Sequence, residues 1–139
     1  MQGHRSEIRQ SAVSDCEESL TNPSAGHKTI EAILPVLNKW LERRHGTLTF
    51  RLTQVLSGHG CFGKYLCRIA GGEPTAKCHH CMCLEDTPRH TVEECPAWAE
   101  PRHDLVAAVG SDLSLPSLVR AMVGSDRLWE AVVSFCETV

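Results

Sequence analysis

Apolar residues recur along this chain at helical spacing and almost nowhere at the period of two that marks a half-buried strand. Ile30, Ile33, Leu34, Leu37 and Leu41 lie on one helical stripe, with Trp40 beside it. Pro35 falls inside that stripe, so the helix either starts near Leu34 or kinks there, because proline lacks the N–H that the helical ladder needs. After RRHG (residues 43–46), Leu48, Leu52, Val55 and Leu56 mark a second face. It ends at SGHG (57–60), where Gly58 and Gly60 let the backbone turn. Phe62, Tyr65, Leu66 and Ile69 predict a short helix that GGEP (71–74) breaks.

Further on, Trp98, Leu105, Val106 and Val109 repeat the helical spacing. So do Leu115, Leu118, Val119 and Met122, with Ser114 as the expected N-cap and Pro116 in the first turn. Leu128, Trp129, Val132, Val133, Phe135 and Cys136 predict a last helix with a wide apolar stripe. Residues 1–27 are polar and show no sustained period, which predicts a flexible lead-in. The pattern predicts a mainly α fold, a small helical domain with an irregular knot in its middle. Four parts are expected: the lead-in (1–27), a basic helical segment (28–76), the knot (77–96) and a helical C-terminal tail (97–139).

Charge adds one feature. The chain has 139 residues and a formal net charge of −3. Yet Lys39, Arg43, Arg44, Arg51, Lys64 and Arg68 face a single acid, Glu42, between residues 39 and 68. A basic segment within an acidic chain is the footprint of phosphate contact, or else a solvated helix face. No apolar run reaches the roughly 18 residues of a membrane span, and the N-terminus lacks the apolar core of a signal peptide. An intracellular protein, nuclear or cytoplasmic, is therefore expected, and in that reducing setting the eight cysteines point to metal or reactivity rather than disulfides.

The knot reads KCHHCMCLEDTPRHTVEEC (residues 77–95). Cys78, Cys81, His90 and Cys95 form the pattern C-x2-C-x8-H-x4-C. Soft sulfur, an imidazole and no open fourth position describe one structural zinc ion. Thr87 is a good N-cap and Pro88 a good first helical residue, so a short helix is expected to carry His90 towards the Cys78–Cys81 turn. A regular α-helix places residues five apart on different faces, about 140° apart, so Cys95 is expected to come off a last turn frayed by Pro96. Cys83 remains an alternative third ligand, whereas His79 and His80 read as surface residues or as supports that touch the ligands without binding the metal. Neither the H-x-E of nucleobase deaminases nor H-E-x-x-H occurs, so the metal reads as structural. His59 reads as a turn residue, and Cys61 and Cys67 as small buried hydrophobes. No phosphate-binding glycine loop is present.

The run FRLTQVLSGHGCFGKYLCRIA, then C-x2-C, then EDTPRHTVEECPAW, resembles the C-terminal region of non-LTR retrotransposon polyproteins, above all the arthropod elements that insert into ribosomal DNA or telomeric repeats. The likeness spans roughly residues 45 to 137. It implies that Cys78, Cys81, His90 and Cys95 are the ligands of a CCHC zinc knuckle lying downstream of a reverse transcriptase domain. It further implies RNA or DNA as partner during target-primed reverse transcription. The polymerase's paired aspartates have no counterpart here, since no Asp-Asp pair occurs. This chain therefore looks like a terminal fragment, or a degenerate copy translated from an internal Met, without catalytic residues of its own. Two readings follow. In one, the chain is an accessory nucleic-acid-binding module whose Arg43, Arg44, Arg51, Lys64 and Arg68 meet phosphates. In the other, the zinc staples a module that packs on the polymerase body or another protein.

Overall fold

The computed structural model describes residues 2–23, 26–59, 62–68, 71 and 74–139. Among them are eight α-helices and no strand, in agreement with the helical periodicity. They are α1 (Gln2–Leu20), α2 (His27–Ile33), α3 (Leu37–Glu42), α4 (Phe50–Ser57), α5 (Gly63–Arg68), α6 (Ala99–Val109), α7 (Leu115–Gly124) and α8 (Asp126–Thr138).

Of the two outcomes open at Pro35, a helix start or a kink, the structure shows the kink. Pro35 sits in a 3-10 turn, Leu34–Val36, that separates α2 from α3 and so kinks the apolar stripe. Within the expected lead-in, Gln2–Leu20 are helical. The polar stretch forms α1, largely exposed and without an apolar face, so hydrophobic periodicity gave no sign of it. The Arg9 guanidinium ties α1 to the carbonyl of Leu41 at 2.9 Å.

Helix α8 is the centre of the packing. It lies against α4, α6 and α7, while α2 covers α7. Leu52, Val55, Leu56, Leu105, Leu118, Val119, Met122, Trp129, Val132 and Phe135 interlock there, and Trp129 is fully buried. Burying an indole requires a partner for its N–H, and Trp129 Nε1 donates to the Thr47 carbonyl at 3.2 Å. Gly46 makes this approach possible. Its φ is +87°, and a Cβ there would stand 2.3 Å from the Trp129 ring. His45 closes the same corner, with Nε2 2.8 Å from the Met122 carbonyl and its ring edge-on to Trp129.

Caps explain where the helices begin. Thr49 Oγ1 accepts from Leu52 N at 3.2 Å, and Ser125 Oγ accepts from Leu128 N at 3.4 Å. Ser114 stands at the N-cap of α7 as expected, but its side chain makes no capping bond. Asp112 Oδ1 instead accepts from Ser114 N at 3.0 Å, a local Asx turn that shapes the loop before the helix.

Candidate metal centre

The knot begins with two short arms held side by side. Asp86 N donates to the Ala76 carbonyl at 2.7 Å, and Cys78 N to the Cys83 carbonyl at 2.9 Å. Met82 N returns to the Cys78 carbonyl at 2.9 Å, closing a tight turn in which Met82 adopts φ +64°. This turn aims the Cys78 and Cys81 thiols to one side. Asp86 fixes it to α5: its Oδ2 accepts from Gly63 N at 3.0 Å, and its carbonyl from Lys64 N at 2.9 Å. A Cβ on Gly63 would lie 3.0 Å from the carbonyls of Ala76 and Lys77, so any larger residue would push the two arms apart by a few tenths of an ångström.

The second half starts as the sequence predicts. Thr87 Oγ1 accepts from His90 N at 3.1 Å, capping a helix that opens at Pro88. It then departs from expectation. Residues His90–Glu94 form a π-turn, and Cys95 N donates to the His90 carbonyl at 2.7 Å. Cys95 is therefore delivered by a widened turn rather than a frayed one. An i→i+5 bond brings residues five apart to one side, which an α-turn cannot do.

As a result Cys78, Cys81, His90 and Cys95 converge, with one donor atom from each lying within 4.8 Å of the others. Cys78 Sγ is 3.9 Å from Cys95 Sγ, and Cys81 Sγ is 3.2 Å from His90 Nε2. A tetrahedral ion with metal–sulfur bonds of about 2.3 Å has sulfur–sulfur edges of about 3.8 Å. The four donors thus lie close enough to bind a metal ion. Cys78 and Cys95 are buried, as is the His90 ring, while Cys81 is half-buried. Burial pushes the Cys95 thiol up to about 11, opposed by the Ala97 backbone and reinforced by the Cys81 and Cys78 thiols. Such thiols bind a cation only by losing their protons, so metal affinity here must rise with pH.

The surroundings also suit a metal. His90 Nδ1 is buried without a hydrogen bond, and the Glu94 carboxylate lies 3.8 Å from it, just beyond hydrogen-bond reach. A histidine that ligates through Nε2 commonly turns its other nitrogen to a carboxylate. Arg102, from α6, donates to the carbonyls of Thr91 (3.0 Å), Val92 (2.7 Å) and Cys95 (2.7 Å). Neither Glu94 nor Arg102 stands in the C-x2-C-x8-H-x4-C pattern, so spacing alone gives no sign of their place beside the site. Cys83 is exposed and outside the cluster, contributing only its carbonyl to the turn. His79 and His80 are exposed, and the His80 ring meets Trp98 edge-on at 4.9 Å. His59 is exposed and stacks on Tyr65. Cys67 is half-buried; Cys61, Gly60, Ile69 and the centre of the GGEP break lie outside the described residues.

The predicted phosphate-contacting residues do not form one patch of unpaired cations. Arg43 turns inward, its Cζ 4.6 Å from the Trp40 ring centroid and 4.5 Å from that of Trp129. Burial lowers its pKa, and its Nε has no hydrogen-bond partner. As placed, Arg43 is a packing residue, because a guanidinium face matches two indole faces. Lys64 and Arg68 share Glu85, at 3.5 and 3.1 Å. Arg44 and Arg51 are exposed, and Arg51 reaches Gln54 Oε1 at 3.5 Å. Three of the knot's four acids are engaged as well: Glu85 with α5, Asp86 with the Gly63 amide, and Glu93 with Arg89 at 2.9 Å.

No protein-family model and no solved structure matches the chain. It is 30% identical over 117 residues, 79% of its length, to the retrovirus-related Pol polyprotein from type-1 retrotransposable element R1 4 of Nasonia vitripennis. The chain spans 28% of that polyprotein's length.

Proposed function

We propose that this chain is the C-terminal part of a non-LTR retrotransposon polyprotein. In this reading Cys78, Cys81, His90 and Cys95 hold one structural zinc ion as a CCHC knuckle, and the module is an accessory to target-primed reverse transcription. The convergence of the four donors carries the metal assignment. Likeness to a retrotransposon polyprotein supports the setting. Zinc would lock the two arms and the π-turn into one unit; four protein ligands leave no position for a reacting water. Nucleic acid, RNA or DNA, is the proposed partner, approached by Arg44 and Arg51 and by Lys64 and Arg68 on release from Glu85. Contacts of this type are insensitive to sequence and sensitive to salt.

The pairing of Lys64 and Arg68 with Glu85 also supports a second reading, in which the module packs on the parent polymerase body. Electrophoretic mobility of a structured RNA across a salt series separates the two. Salt-sensitive retardation that Arg44→Glu with Arg51→Glu abolishes is expected for the accessory module. No retardation even at low salt would leave the protein-packing reading.

A further inference from the structure

Arg102 is half-buried, and no carboxylate pairs with it among the described residues. All the hydrogen bonds its guanidinium makes go to one short piece of backbone, the carbonyls of Thr91, Val92 and Cys95. Two features of that backbone are unusual. A π-turn leaves its last carbonyls without the partners an α-helix would give them, and Pro96 has no N–H to offer. A half-buried cation without a counter-ion is also costly unless negative charge lies near. Three thiolates, a neutral imidazole and a divalent cation sum to about −1, by the ordinary ionisation of zinc ligands.

We infer that Arg102 is a positioning residue of the metal centre: its three-way clamp holds the π-turn that superposes His90 and Cys95, and its charge offsets the net negative charge of the loaded site. The inference rests on the zinc reading above. The planar fork is essential, because two of its nitrogens reach three carbonyls that a single ammonium cannot span. Helix α6 thereby becomes part of the metal site, although it supplies no ligand.

The test uses the full chain, with Arg102→Met and Arg102→Lys beside wild type. Zinc affinity is measured by competition with a chelator, and melting is followed with zinc and after its removal. Arg102→Met is expected to weaken zinc binding about 10- to 100-fold, as loss of a supporting contact to metal ligands does elsewhere. Arg102→Lys, keeping charge but not the fork, should fall between. The loss of melting temperature in both variants should be confined to the zinc-loaded form. Unchanged affinity would overturn the inference, as would an equal loss of melting temperature with and without zinc, which marks ordinary helix packing. Wild type that binds no zinc would remove the metal reading itself, before any variant is compared.

Discussion

Cys95 N donates to the carbonyl of His90 across 2.7 Å, five residues back along the chain. That one bond allows two ligands to share a centre at a spacing an α-helix would place on different faces. Around it, the Thr87 cap begins the turn and Arg102 satisfies the open carbonyls of Thr91 and Val92.

The four converging side chains and the outlying Cys83 respond differently to mutation. Cys95→Ser and His90→Ala are expected to lower bound zinc from one per chain to well below one, whereas Cys83→Ser keeps full occupancy. Metal analysis after gel filtration in the presence of a weak chelator checks this. Loss of zinc from Cys83→Ser with retention in Cys95→Ser would reassign the ligand set.

Arg43 is expected to behave as a packing residue. Its guanidinium lies over both Trp40 and Trp129, a partly desolvated cation–π arrangement worth about 1–2 kcal/mol. Arg43→Ala should lower the free energy of unfolding by about that amount in denaturant titration while leaving RNA mobility shifts unchanged. An unchanged stability with lost RNA retention would restore Arg43 to the phosphate-contacting set.

Glu85 holds two cations, so its removal should help a polyanion bind. Glu85→Gln is expected to keep RNA retention to higher salt, steepening the salt dependence by about 0.7 for each phosphate newly contacted by Lys64 or Arg68. Because these pairs are exposed, stability should change by no more than about 1 kcal/mol. Retention identical to wild type would mean that α5 does not face nucleic acid.

Cys136 sets an alkaline limit. Burial pushes its thiol from the ordinary 9.0 up to about 12, with Glu137 adding to the shift. The unfolded chain therefore loses that proton near pH 9 while the folded chain keeps it to about pH 12. Its contribution to stability is full below pH 9 and falls away between the two values, at up to about 1.4 kcal/mol per pH unit. Cys136→Val should flatten this fall in stability curves recorded with zinc present. An identical alkaline fall in both proteins would contradict it.

Much of this was legible from residue spacing. Pro35 announced a break in its stripe, Thr87 its cap, and C-x2-C its turn, because each acts through local backbone geometry. Helix α1 was not legible, since it buries no stripe and so leaves no period to read. Ser114 stands at the N-cap as expected, but its side chain makes no capping bond, and its own amide donates to Asp112. Arg43 could not be placed from charge alone: whether a guanidinium meets water or indole depends on Trp129, which lies 86 residues away in sequence. The need for something other than a regular helix between His90 and Cys95 was readable from their spacing. The π-turn that answers it depends on Arg102, outside the motif.

The most direct test of the metal assignment is X-ray absorption at the zinc edge on the purified chain. One zinc with three sulfurs at about 2.3 Å and one nitrogen at about 2.0–2.1 Å is the expected shell. No zinc, or a shell of four sulfurs or of two sulfurs with two nitrogens, would contradict the assignment of Cys78, Cys81, His90 and Cys95.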